Sequence, residues 1–211
     1  MHRAAFLLAG AIWISLPGAP AAADVRIGAT ITDDGLRSFH LAIGSYYQVP
    51  EREIIVVRER HVPDDELPVV FFLASRAHQP ASMIVDMRLD GRAWIDIAWH
   101  FGLGSDVFYV PLARHPGPPY GRAYGYFKQT KQSEWPRLRL SDVDVVNLVN
   151  LRFIADHYRC SPYEVTRLRR DHRSFVRLAR ELDRHRHDDD DDRGKARHGR
   201  DRGRGRGHGR D

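Results

Sequence analysis

The 211-residue sequence predicts an all-α protein, and three observations carry that expectation. Apolar residues recur at helical spacing through most of the chain, bounded by proline, glycine and serine punctuation. Only Val25 to Thr32 (VRIGATIT) alternates like a strand, and one strand makes no sheet. A shift of 81 positions superimposes Phe72–Ala98 on Phe153–Ala179 without a gap. Repeats of this kind set the architecture. The predicted domain is two similar three-helix modules preceded by two short helices and followed by a disordered C-terminal tail.

Residues 1–23 read as an export signal. His2 and Arg3 form a basic start, Ala4 to Leu16 an apolar stretch, Pro17 to Pro20 a breaker, and Ala21-Ala22-Ala23 a small-residue cleavage site. An uncleaved N-terminal anchor is the alternative, but the apolar stretch is shorter than the roughly 20 residues a span needs. Processing near Asp24 would place the protein in the periplasm or outside the cell, with no stable membrane span after cleavage. A single cysteine, Cys160, excludes an intramolecular disulfide and any multi-cysteine metal site. Its expected role is a small residue at a helix end, with an intermolecular disulfide as the alternative.

The segments Leu36–Tyr47 and Glu51–Arg60 are the two leading helices, with Pro50 at the start of the second. Repeat one spans about 64–103. Its first helix, Asp64 to Arg76, opens after Pro63 with acidic Asp64, Asp65 and Glu66 complementing the macrodipole. The second starts at Pro80 and ends at Gly91, and the third, Arg92 to Phe101, ends at Gly102. Repeat two spans about 141–183. Ser141 caps a helix over Asp142–Tyr158, Ser161-Pro162-Tyr163-Glu164 is a capping box for the next, and the third runs Arg173 to Leu182. Such short helices cannot bury their apolar faces alone, so the two modules are expected to pack on each other.

A linker at about 113–139 separates the repeats. Its PGPPYGRAYGYFK stretch carries three prolines, three glycines and three tyrosines, and is expected to cross the surface without helix. Tyr120, Tyr124, Tyr126 and Phe127 are the partner-binding candidates, because exposed aromatics stack on sugars and proteins. Folding back over the helices is the alternative.

From Arg184 to Asp211 the composition changes. Ala196 is the only apolar residue there, so this tail is expected to stay disordered. It holds ten Lys and Arg and seven Asp, whereas residues 24–183 hold 22 basic and 21 acidic groups. The formal charge of +5 therefore belongs mainly to the tail and the leader. His185, His187, Asp188, Asp189 and Asp190 are candidate ligands for a divalent metal, against the simpler reading of a solvated charge run. The Arg-Gly alternation over 202–207 suits polyanions, though the aspartates nearby weaken the attraction.

Two further motifs stand out in the sequence. The order Ile97-Ala98, Gly102-Leu103, Val107-Phe108 has helix-turn-helix spacing. DNA binding is an alternative only if the leader is misread, because the second segment is poor in basic residues. Arg88-Asp90-Arg92 and Arg169-Asp171-Arg173 recur at the turn before the third helix of each repeat. An anion site is one reading. The favoured one is structural, with the arginine at a helix C-terminus and the aspartate accepting free amide protons of the next helix. No catalytic residue is assigned: no nucleophile elbow, His-Glu-x-x-His, phosphate-binding loop or dinucleotide fingerprint is present. No cofactor is implied.

Pro80 ahead of Ile84, Met87 and Arg88, then Arg92, Trp94, Ile95, Ile97 and Ala98, with the upstream SYYQVPEREIIVVRERHVPDDELPVVFFLA, resembles a group of uncharacterised exported bacterial proteins. They combine such helical modules with polar low-complexity tails. The resemblance covers about Phe39 to Leu182. It implies export and an all-α domain, and no activity. The resulting expectation is a non-enzymatic extracytoplasmic protein that binds a protein or envelope component, with weak metal or polyanion binding by the tail as the alternative.

Overall fold

A computed structural model describes residues 34–186, and these are helical with no strand among the described residues. Val25–Thr32 lies outside them, as do the leader and residues 187–211. The helices are α1 (Asp34–Tyr47), α2 (Glu51–Glu59), α3 (Leu67–Ala77), α4 (Ala81–Leu89), α5 (Trp94–His100), α6 (Gly121–Gln129), α7 (Asp142–Tyr158), α8 (Pro162–Asp171) and α9 (residues 175–186). Among the described residues none is long and apolar enough to cross a membrane.

The core is built on α3 and α7, which pack together and against α1, α4, α5 and α8. Leu67 to Leu73 are buried without a break, so α3 presents no polar face to solvent over two turns. Helix α7 contributes Leu148, Leu151, Phe153 and Ile154. Phe39 of α1 meets Phe153 edge-on with ring centres 5.8 Å apart. The first helices of the two predicted modules are thus the central pair.

The turns recur. His78 closes α3 in the left-handed region (φ 53°), and the Gln79 N–H bonds to the Ala74 carbonyl at 3.0 Å. Arg159 closes α7 in the same way (φ 55°), with Cys160 N–H on Ala155 O at 3.1 Å. These positions are 81 apart. A third occurrence, unforeseen from the sequence, joins α1 to α2: Gln48 has φ 57° and Val49 N–H bonds to Gly44 O at 3.0 Å. It lies 30 residues before the one at His78. Ile54, Ile84 and Val165, four residues beyond Pro50, Pro80 and Ser161, are all fully buried. The two segments read as leading helices therefore meet in the same turn geometry as the long and short helices that follow them.

The predicted linker departs from expectation. Residues 121–129 form α6, and 132–137 form a 3₁₀ helix. Tyr120, Ala123, Tyr124 and Phe127 stand at i, i+3, i+4 and i+7 and are buried together. That apolar face outweighs the poor helix propensity of Gly121 and Gly125. The tail boundary also moves. Helix α9 runs through residue 186, because His185 Nε2 lies 3.1 Å from Glu181 Oε1, Arg184 pairs with the same carboxylate, and Arg186 covers the Tyr158 ring at 4.9 Å. The Arg186 guanidinium also donates to His157 O at 3.1 Å.

A candidate binding cleft beside α6

Each Arg-x-Asp-x-Arg turn sets its first arginine against the ring of a buried aromatic residue. Arg88, in the last turn of α4, donates to Glu66 through two nitrogens (3.0 and 3.1 Å) and to Asp142 Oδ2 at 2.6 Å. Its guanidinium lies 4.6 Å from the Trp94 ring centre, and the Trp94 indole N–H donates to Glu66 Oε2 at 3.2 Å. Arg169 repeats the ring contact, 4.4 Å from the Phe175 ring centre, with a nitrogen on the His172 carbonyl in place of the two carboxylates. The committed donors of Arg88 favour the structural reading there, while Arg169 is held by its ring and the His172 carbonyl and keeps a buried Nε without a partner.

The aspartates act differently from expectation. Asp90 and Asp171 end α4 and α8 and are exposed, as are Arg92 and Arg173. The Trp94 N–H that opens α5 is accepted by Asp142 Oδ1 at 2.8 Å, and the Phe175 N–H that opens α9 by Asp65 Oδ1 at 3.1 Å. Each cap comes from the first turn of the other module. Asp90 and Asp171 close the preceding short helix and do not supply that contact.

The helix-turn-helix spacing resolves into packing. Gly102 turns the chain with φ 73°, and Ser105–Phe108 is a four-residue 3₁₀ helix with Phe108 buried. No recognition helix follows. Cys160 is half-buried behind the α7 cap, and burial pushes its thiol up to about 11, away from the thiolate form a nucleophile needs.

Three of the four partner-binding candidates are interior. Tyr120 is 1% exposed and Phe127 2%, Tyr124 is buried, and only Tyr126, at 40%, faces out. The Tyr124 hydroxyl donates to Val110 O, which ties α6 to the preceding extended segment. Tyr124 and Phe127 wall a cleft that has no direct sign in the sequence. Tyr109, Tyr124, Phe127 and Trp135 form its floor, with Tyr109 and Trp135 ring centres 4.6 Å apart. Trp135 is fixed by its indole N–H, which donates to Phe127 O (3.0 Å) and Thr130 O (3.1 Å) at the end of α6. Arg114, His115 and Lys128 line the same cleft and are exposed, and its volume is about 310 Å³. A rigid aromatic floor under three basic groups suits a flat or apolar group bearing negative charge.

Comparison with known proteins ends here: no family model, curated protein or solved structure matches the chain. The cleft must be judged on its own chemistry.

Of the metal-ligand candidates, His185 is on α9 beside Glu181, while His187, Asp188, Asp189 and Asp190 lie outside the described residues. No group of three His, Cys, Asp or Glu side chains placed to hold a metal occurs among the described residues.

The last two helices form a second charged surface. Residues 159–186 contain nine arginines against four acidic groups. A groove of about 510 Å³ on α9 is lined by His172, Arg177, Arg180 and Arg184. The near-neutral charge of the helical domain therefore hides a basic C-terminal end.

Proposed function

We propose that this chain is an exported, non-catalytic binding protein. Its α6 cleft receives a planar or apolar part of a protein or envelope component, with an acidic group set against Arg114, His115 and Lys128. The observation that carries this reading is the pairing of an aromatic floor with a basic rim in one cleft. The leader-like start and the resemblance to exported helical proteins support the location, and the recurrent turns 81 residues apart support a duplicated module.

Anilinonaphthalene sulfonate, a planar apolar probe with one negative charge, tests the cleft. Saturable 1:1 binding that quenches Trp135 and weakens at least tenfold in Lys128→Glu supports it; equal affinity in the variant overturns it. Cell fractionation with N-terminal sequencing tests export. Finding the intact Met1 chain in the cytoplasm would reverse that part and revive the alternatives for an internal protein.

A second reading, polyanion capture, is favoured by the basic surface of α8 and α9 continuing into the Arg-rich tail. Its mark is a steep fall in heparin affinity with salt that flattens in the double variant Arg177→Gln, Arg184→Gln. Weak metal binding by the tail is tested by titrating zinc into the full-length chain and a 1–186 truncation. Equal heats from both would remove it.

A further inference from the structure

A pocket of about 420 Å³ lies between the ends of α1 and α3 and the middle of α7, and shares no lining residue with the α6 cleft. Tyr46, Tyr47, Phe72, Ser75, Arg76 and Arg152 line it. Two guanidiniums share one aromatic ring there: Arg76 and Arg152 each stand 5.5 Å from the centre of Phe72. Neither is ion-paired with a carboxylate among the described residues. Arg152 is half-buried and donates to Tyr109 O at 2.7 Å, which fixes one edge of its fork and leaves donors over. The nearest acid, Asp156, accepts the Tyr46 hydroxyl at 2.7 Å.

Two like charges held on one ring in a recess repel each other. Burial and the neighbouring Arg76 both pull the Arg152 guanidinium below its ordinary range, and Asp156 and the tyrosines only partly restore it. The ring itself attracts both cations, but a cation–π contact does not neutralise charge. Of the carbonyls at the ends of α1 and α3, those of Gly44 and Ala74 already accept the Val49 and Gln79 N–H groups. The two guanidiniums thus face one carboxylate, Asp156, which leaves a positive charge over.

We propose that this pocket binds one compact oxyanion, a phosphate, sulfate or carboxylate group, clamped between Arg76 and Arg152 with hydroxyl groups of Tyr47 and Ser75 at its edge. The forked guanidinium geometry matches such oxygens in pairs. The group is either a free ion or the head of a larger ligand.

Calorimetry and thermal melting of the full-length chain at constant ionic strength test this. The probes are inorganic phosphate, sulfate, acetate and glycerol phosphate, each against chloride. The expected result is a 1:1 site for at least one oxyanion, weakened tenfold or more in Arg76→Gln and unchanged in Arg177→Gln on α9. A glycerol phosphate affinity well above that of phosphate would mark a head-group site, and the reverse a free ion. Arg76 is exposed, so its variant folds even if Arg152→Gln does not. No oxyanion binding by the wild type, unchanged binding in Arg76→Gln, or an equal loss in Arg177→Gln would overturn the assignment. Lys128→Glu is expected to leave oxyanion binding intact, and Arg76→Gln to leave the α6 cleft intact, so either site can fail without the other.

Discussion

Asp142 opens α7, yet its Oδ1 caps the Trp94 N–H that opens α5 at 2.8 Å, while its Oδ2 holds Arg88 at 2.6 Å. One carboxylate thereby closes a helix belonging to the other module. Asp65 returns the arrangement at Phe175.

Removing that carboxylate takes away a cap and half of the Arg88 clamp. Asp142→Ala is expected to lower stability by about 2–4 kcal/mol. Asp142→Asn keeps the acceptor and is expected to recover part of the loss. Urea unfolding followed by circular dichroism reads both, and equal losses in the two variants would show that the cap counts for nothing.

Asp65 answers differently to pH. Burial pushes its carboxyl above the ordinary carboxylate value of 3.8, against the pull of the Phe175 N–H, Arg169 and Ser174. A carboxyl whose folded value is raised contributes stability fully below 3.8 and loses it as pH rises through the folded value. Asp65→Asn keeps an acceptor for Phe175 without the buried charge. Its stability relative to wild type is therefore expected to improve between pH 3 and pH 7, measured by urea unfolding at each pH. A difference that stays flat or falls would contradict this.

Cys160 is expected to be slow. With its thiol pushed up to about 11, the thiolate fraction at pH 8 is at least tenfold below that of a free cysteine near 8.5. A disulfide exchange reagent should label the folded chain at least tenfold slower than the urea-unfolded chain. Equal rates would place the thiol in open solvent.

The aromatics of residues 120–127 divide by burial. Phe127→Ala is expected to cost about 3–5 kcal/mol, whereas Tyr126→Ala should stay within about 0.5 kcal/mol. Thermal melts of the two variants separate core from surface, and matched losses would refute the division.

What the sequence made legible was local. Ser141 caps α7 as expected, with Asp144 completing a reciprocal box that its sequence reading did not include, and Ser161 accepts the Glu164 N–H at 3.2 Å, one half of the box expected there. Gly91 and Gly102 end their helices in the left-handed region as expected. The misjudged segment was α6, where prolines and glycines drew attention from the 120, 123, 124, 127 spacing written in the same residues. The offset of 30 was also present, as Pro50, Ile54, Arg58 against Pro80, Ile84, Arg88, but lay hidden behind the clearer match at 81. The caps from Asp142 and Asp65 had no local signal, since each acts on a helix dozens of residues away. The α6 cleft is of that kind too, joining Arg114 and Lys128 to rings from Tyr109 to Trp135.

The exchange of caps bears on how the chain folds. A fragment ending at Leu112 would hold α5 without Asp142, and a fragment starting at Arg114 would hold α9 without Asp65. Neither piece is complete, and each carries what the other needs. The two are therefore expected to melt in a single cooperative step when joined, and to reconstitute the fold from separate pieces only when mixed.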